Sequence, residues 1–171
     1  MADDDHGRDD DVNAAGGFYV PPHGGETLVL RQPPIPGDLT IKVSPARGRS
    51  TRFSMGTQDL PPTYAIPVHK HLYEDEILFV HSGQGTATLG EETFPVETGA
   101  TLFIPQGVWH TVVNPHDEPA QLIWFTVGPG IENFFERIGV APGEPWKPLS
   151  LAELSRISAE YGMIIKSTAT T

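Results

Sequence analysis

The sequence predicts an all-β domain, a sandwich or small barrel, followed by two short C-terminal helices. Three observations lead there. Glycine (18) and proline (17) fill an unusually large share of the 171 residues, which calls for many tight turns between short strands. From about Thr51 to Val127, strand-length apolar runs recur with turn signals every eight to twelve residues. Past residue 130 the apolar period lengthens to that of an amphipathic helix.

Residues 1–16 read as a disordered acidic tail, with six aspartates offset only by Arg8. Thr27–Leu30 and Leu39–Val43 read as strands packing on the outside of a main sheet, within a barrel domain spanning 17–130. Glu76–His81 (EILFVH) carries large apolar residues on both faces, which predicts burial on both sides. Ser82–Gly85 is read as a hairpin turn returning as Thr86–Leu89, and Gly90-Glu91 as the next turn, before Thr93–Val96. Thr101–Ile104, His110–Val113 and Gln121–Val127 complete the strand series.

Ile131, Phe134, Phe135 and Ile138 follow the i, i+3, i+4, i+7 spacing of a short helix closed by Gly139. Ser150-Leu-Ala-Glu153 is a capping box that opens a second helix running to about Tyr161. The segment 131–171 is thus a helical extension, expected to cover the barrel exterior or one of its ends. No internal repeat is present, so a single barrel is expected.

Composition excludes several classes of function. The net charge is −11 and no Lys/Arg cluster exists, so neither nucleic acid nor an anionic membrane surface is an expected partner. Cysteine is absent, which removes disulfides, zinc–thiolate sites, iron–sulfur clusters and thiol nucleophiles. No apolar run approaches the roughly 20 residues of a membrane span. No basic segment followed by an apolar core opens the chain, so the sequence as given leans toward a cytoplasmic protein.

Any metal must therefore sit on imidazole and carboxylate. His69-Lys70-His71 places two imidazoles on one face of an extended strand, because residues i and i+2 point the same way. Glu76 opens the EILFVH strand, with Leu78 and Val80 on the carboxylate's face, and His110 opens a later strand. Three imidazoles and a carboxylate suit iron, manganese, nickel, cobalt, zinc or copper, with positions left open for catalysis. His6, His23, His81 and His116 lack such context and read as ordinary surface or core residues. Glu74 and Asp75 read as solvated, either one standing in for Glu76 if the register shifts by one or two.

The spacing of these residues resembles the signatures of the cupin superfamily. His69-Lys-His71, four residues, Glu76, six residues and Gly83 match the first, HxH(x)3–4E(x)6G; Gly99, Pro105, Gly107, His110 and Asn114 match the second, G(x)5PxG(x)2H(x)3N. One position departs: Thr63 stands where the family often has a turn-forming glycine. The resemblance implies a conical double-sheet barrel of the jelly-roll type, with one divalent transition metal ion inside held by His69, His71, Glu76 and His110. A single motif pair implies a monocupin. Such cupins commonly pair into dimers through outer strands, so residues 17–45 are the expected contact of a homodimer. The tail after the barrel more loosely resembles that of small quercetinase-like cupins.

From this site the leading expectation is a metal-dependent dioxygenase acting on a small enol, enediol or polyphenol. Glu76 is the expected catalytic residue, remaining a ligand or taking the substrate proton as general base. Tyr64, Phe103, Trp124 and Phe125 are candidate pocket walls. A non-redox isomerase, lyase or hydrolase using the ion as a Lewis acid is the first alternative, and a small-molecule-binding protein without catalysis the second.

Overall fold

The computed structural model describes residues 11–12, 17–31, 37–46, 52–128 and 130–166. Apart from Asp11 and Val12, the acidic tail lies outside the described residues, and so does His6. In chain order the strands are β1 (Asp11–Val12), β2 (Phe18–Tyr19), β3 (Glu26–Leu30), β4 (Gly37–Val43), β5 (Phe53–Leu60), β6 (His69–His71) and β7 (Asp75–Ser82). They continue with β8 (Gln84–Leu89), β9 (Glu92–Glu97), β10 (Thr101–Ile104), β11 (His110–Val113) and β12 (Ala120–Val127). Helix α1 (Ile131–Ile138), β13 (Gly139–Val140), α2 (Leu151–Glu160) and β14 (Met163–Ile165) complete the order.

Two antiparallel sheets make the barrel. One has seven strands in the order β10-β7-β12-β5-β4-β3-β13, the other five in the order β14-β6-β11-β8-β9. β1 and β2 pair separately. The core lies between the two sheets, where Leu39, Ile41, Leu78, Val80, Leu122 and Trp124 are buried. This is the all-β double-sheet architecture that the turn spacing calls for. No helix among the described residues is long and apolar enough to cross a membrane.

Several local expectations are corrected. β3 and β4 do not lie over the outside of a sheet; they continue the seven-stranded sheet edgewise from β5. The strand β7 is not buried on both sides. Glu76, Leu78 and Val80 face in, while Ile77 is exposed and Phe79 half-buried on the outer face. The segment Ser82–Gly85 is not a hairpin: β7 pairs with β10 and β12, β8 with β9 and β11, so the chain crosses between sheets at Gly83. Gly83 has φ +84°, and a Cβ there would meet Ala120 Cα at 2.7 Å and the Pro119 carbonyl at 2.8 Å. A sharp crossing pressed against the next strand needs a residue without a side chain.

The helices form where the apolar spacing places them. Helix α1 buries Ile131, Phe134 and Ile138, and Gly139 ends it by turning to extended backbone that enters β13. Helix α2 starts at the Ser150–Glu153 capping box and buries Leu154 and Ile157. The short strand β14 then returns alongside β6, with Met163 opposite His71 and Ile165 opposite His69. Together α1, α2 and β14 close one end of the barrel, the end at which the histidines lie.

Candidate metal centre

The side chains of His69, His71, Glu76 and His110 converge inside that end, each no more than 8 % exposed. One donor atom from each lies within 4.8 Å of all the others. The two sheets share the task. His69 and His71 alternate inward on β6, and His110 lies directly opposite His69 across the β6–β11 ladder. Glu76 comes from β7 in the facing sheet and reaches across to place Oε2 2.9 Å from His110 Nε2 and 3.4 Å from His71 Nε2.

Backbone carbonyls set the orientation of two rings. His69 Nδ1 lies 2.8 Å from the Pro67 carbonyl and His110 Nδ1 3.0 Å from the Val108 carbonyl, each two residues back along the chain. A carbonyl only accepts, so Nδ1–H is the donor in both rings and Nε2 is left to face the site. In a neutral His110, the Nε2 lone pair would then confront a carboxylate oxygen at 2.9 Å, two acceptors without a proton between them. His71 Nε2, His110 Nε2 and Glu76 Oε2 are all buried without a hydrogen-bond partner. Such a donor set fits a cation at its centre and suits a divalent transition ion.

The charges of these buried groups are coupled to one another. Burial and the neighbouring imidazoles His110 and His71 hold His69 well below the usual histidine range, so this ring is neutral and free to donate a lone pair. Burial alone would raise Glu76, but the adjacent His110 and His71, when protonated, more than offset it and hold the carboxyl below the usual range. Burial lowers His71 too, yet the carboxylates of Glu76 and Glu74 outweigh it and the net shift is upward.

A narrow apolar cavity opens beside these donors. Its walls include Gln58, Leu78 and Trp124, and its roof is Phe134 and Phe135 of α1 with Leu154 of α2. Its volume is about 40 Å³, well below the ~150 Å³ of an engineered cavity that takes benzene.

All four predicted ligands come together, but the predicted walls do not. Only Trp124 lines the cavity. Tyr64 is buried behind Gln58, whose Nε2 donates to the Tyr64 hydroxyl at 3.3 Å. Phe103 is 59 % exposed, and Phe125 packs on Phe53 across the outer face. Along β12, Trp124 points in and Phe125 out, so one step of parity separates wall from surface. The apolar stripe of α1 carried the roof's signal, since a helix face of that width must bury against something.

Glu74 is a second correction. It is not solvated but 1 % exposed, with Oε2 3.8 Å from His71 Nδ1. Asp75 is half-buried and accepts a hydrogen bond from the Gln106 amide at 3.0 Å. Neither takes the place of Glu76 among the converging donors. His23, His81 and His116 are exposed.

Comparison with known proteins follows the same lines. A family model described as the Cupin domain matches residues 56–126. Protein SchB of Streptomyces halstedii is 32 % identical over 93 residues, covering 54 % of this chain and 67 % of its own. The polyketide synthase CurC of Streptomyces cyaneus is 32 % identical over 88 residues, covering 52 % and 57 %. The chain thus spans between just over half and two thirds of these curated relatives. A solved structure of a predicted oxalate decarboxylase from Thermotoga maritima aligns with a TM-score of 0.58 over 64 % of this chain and 98 % of its own. At 17 % identity that likeness concerns the fold.

Proposed function

This chain belongs to the cupin superfamily, and from that premise we propose that it is a metal-dependent dioxygenase acting on a small enol or enediol. The observation that carries the reading is the convergence of His69, His71, Glu76 and His110 on one point beside an apolar cavity. A divalent transition ion there would supply charge that acidifies a substrate hydroxyl and, if redox-active, electrons for dioxygen chemistry.

The chain's own groups supply the rest. Glu76, one of the four converging groups, would take the hydroxyl proton on a carboxylate oxygen. Leu78, Trp124, Phe134 and Phe135 exclude water from the reacting atoms. The small cavity favours an enediol of a few carbons over a polyphenol, which would need the α1 roof to move.

Protein loaded in turn with iron, nickel or manganese, and supplied with enediols and flavonols, is expected to consume dioxygen. Absence of uptake with every pairing rejects the dioxygenase reading. Equal turnover under strict anaerobiosis reassigns the site to a non-redox isomerase or lyase.

We also propose that two copies associate through the outer face of the seven-stranded sheet. Phe103, Ile77, Phe125, Met55 and Val43 form one cross-strand row there, and Val127 lies opposite Phe53 beside it. Phe103, Val127, Phe53 and Ile77 are 59, 49, 39 and 36 % exposed. They expose on the order of 300–400 Å² of apolar surface. That approaches the apolar core of a standard interface, which buries ~800 Å² per partner with about 60 % of it apolar. Phe18, Val20 and Val43 border the same face, which supports the expectation that residues 17–45 contribute.

A further inference from the structure

The three ligand histidines differ in what holds their outer nitrogen. His69 and His110 each donate Nδ1–H to a backbone carbonyl two residues back. His71 has no carbonyl in that position. Its Nδ1 is buried without a hydrogen-bond partner, and the nearest complementary group is Glu74 Oε2 at 3.8 Å, itself buried and unpartnered. Two orphaned groups of opposite character, sealed from water side by side, are each other's natural partner.

Nothing else nearby satisfies Glu74 Oε2. Glu132, a further buried carboxylate in this region, is an acceptor with donors of its own: Ser54 Oγ at 2.7 Å, the Gly130 amide at 3.2 Å and Asn133 Nδ2 at 3.2 Å. The chain also makes room for Glu74. A Cβ on Gly128 would stand 3.2 Å from Glu74 Cγ, and one on Gly130 would stand 3.0 Å from Glu74 Oε1. Gly130 is the N-cap of α1, so the start of the cavity roof is shaped around this carboxylate.

We propose that Glu74 is a positioning residue for His71: it keeps the ring proton on Nδ1, presents Nε2 to the metal, and makes this imidazole the most electron-rich of the three. Carboxylate partners on the outer nitrogen fix the tautomer and raise ligand basicity in this way. The inference rests on the metal-centre reading above. It also ties the roof to the ligand set, because the segment that starts α1 encloses Glu74.

Two substitutions separate this role from packing. Glu74→Ala removes the acceptor, whereas Glu74→Gln leaves an amide oxygen in place without the charge. Histidine nitrogen-15 shifts are read on metal-free protein, in conditions alkaline enough for neutral rings, and Co2+ affinity by visible-absorption titration. In the wild type and in E74Q, His71 is expected to carry its proton on Nδ1. In E74A it becomes a mixture of tautomers, while His69 and His110 keep theirs. Co2+ affinity should fall about 100-fold in E74A and about 10-fold in E74Q.

Unchanged His71 shifts in E74A, with affinity within about twofold of wild type, overturn the proposal. Should E74A fail to fold, E74Q decides by the same affinity measurement, and wild-type binding overturns the proposal. A wild type that binds no Co2+ overturns the metal reading instead. The tautomer of His71 in E74A then still settles the role of Glu74.

Discussion

His110 Nε2 and Glu76 Oε2 stand 2.9 Å apart although their strands, β11 and β7, belong to different sheets. The site is thus a clasp between the two halves of the barrel, and a cation held there links them. Metal at about 100 times its Kd should stabilise the fold by ~2.7 kcal/mol, raising Tm by roughly 5–10 °C for a domain of this size. Calorimetry with and without a chelator measures the difference. His110→Ala is expected to abolish it, and Glu76→Gln to abolish turnover as well. If E76Q instead leaves small-molecule affinity intact with no turnover in the wild type, the protein is a binder and not an enzyme.

Thr63 is the one described non-glycine residue with positive φ, at +65°, and it is exposed. A β-branched side chain in that conformation is strained by roughly 1–2 kcal/mol, against about 0.5–1 kcal/mol of extra chain entropy lost by glycine. Thr63→Gly should therefore stabilise the protein by about 0.5–1 kcal/mol. In urea unfolding the midpoint should rise with the slope unchanged. A midpoint at or below wild type would contradict the strain.

The α2 cap gives a pH-dependent prediction. Ser150 donates to Glu153 from both its hydroxyl and its amide, while the Glu153 amide donates back to Ser150 Oγ. Those bonds hold the Glu153 carboxyl below its ordinary value of 4.5. Because the folded value is depressed, this contribution is fully present above 4.5 and disappears as pH falls through the folded value. The advantage of wild type over Glu153→Gln should accordingly hold at neutral pH and shrink under acid. Ser150→Ala should cost about 1 kcal/mol at neutral pH.

Phe103 and Phe125 flank Ile77 in register on the outer face of the sheet. Replacing both aromatics with lysine should convert a dimer to a monomer in sedimentation equilibrium while metal affinity stays at its wild-type level. A wild type that sediments as a monomer at high protein concentration rejects the association.

What the sequence determined by itself is local. The pairing of His69 with His71 on one face follows from the two-residue period of any strand, and the helix starts and stops follow from Gly139, Ser150 and Glu153. The four residues that converge were legible because signature spacing encodes strand starts and turns, each set by a few neighbouring residues. Which sheet each strand joins was not legible, since the turn chemistry at Ser82–Gly85 serves a hairpin and a sheet crossing equally well. Tertiary structure decided that Glu76 faces the histidines from the opposite sheet, that Phe125 turns outward, and that α1 roofs the cavity. It also decided the fate of Glu74, whose burial depends on Gly128 and Gly130, more than fifty residues away in the chain. Burial and charge pairing are properties of what packs against a residue, and that partner is chosen only when the sheets close.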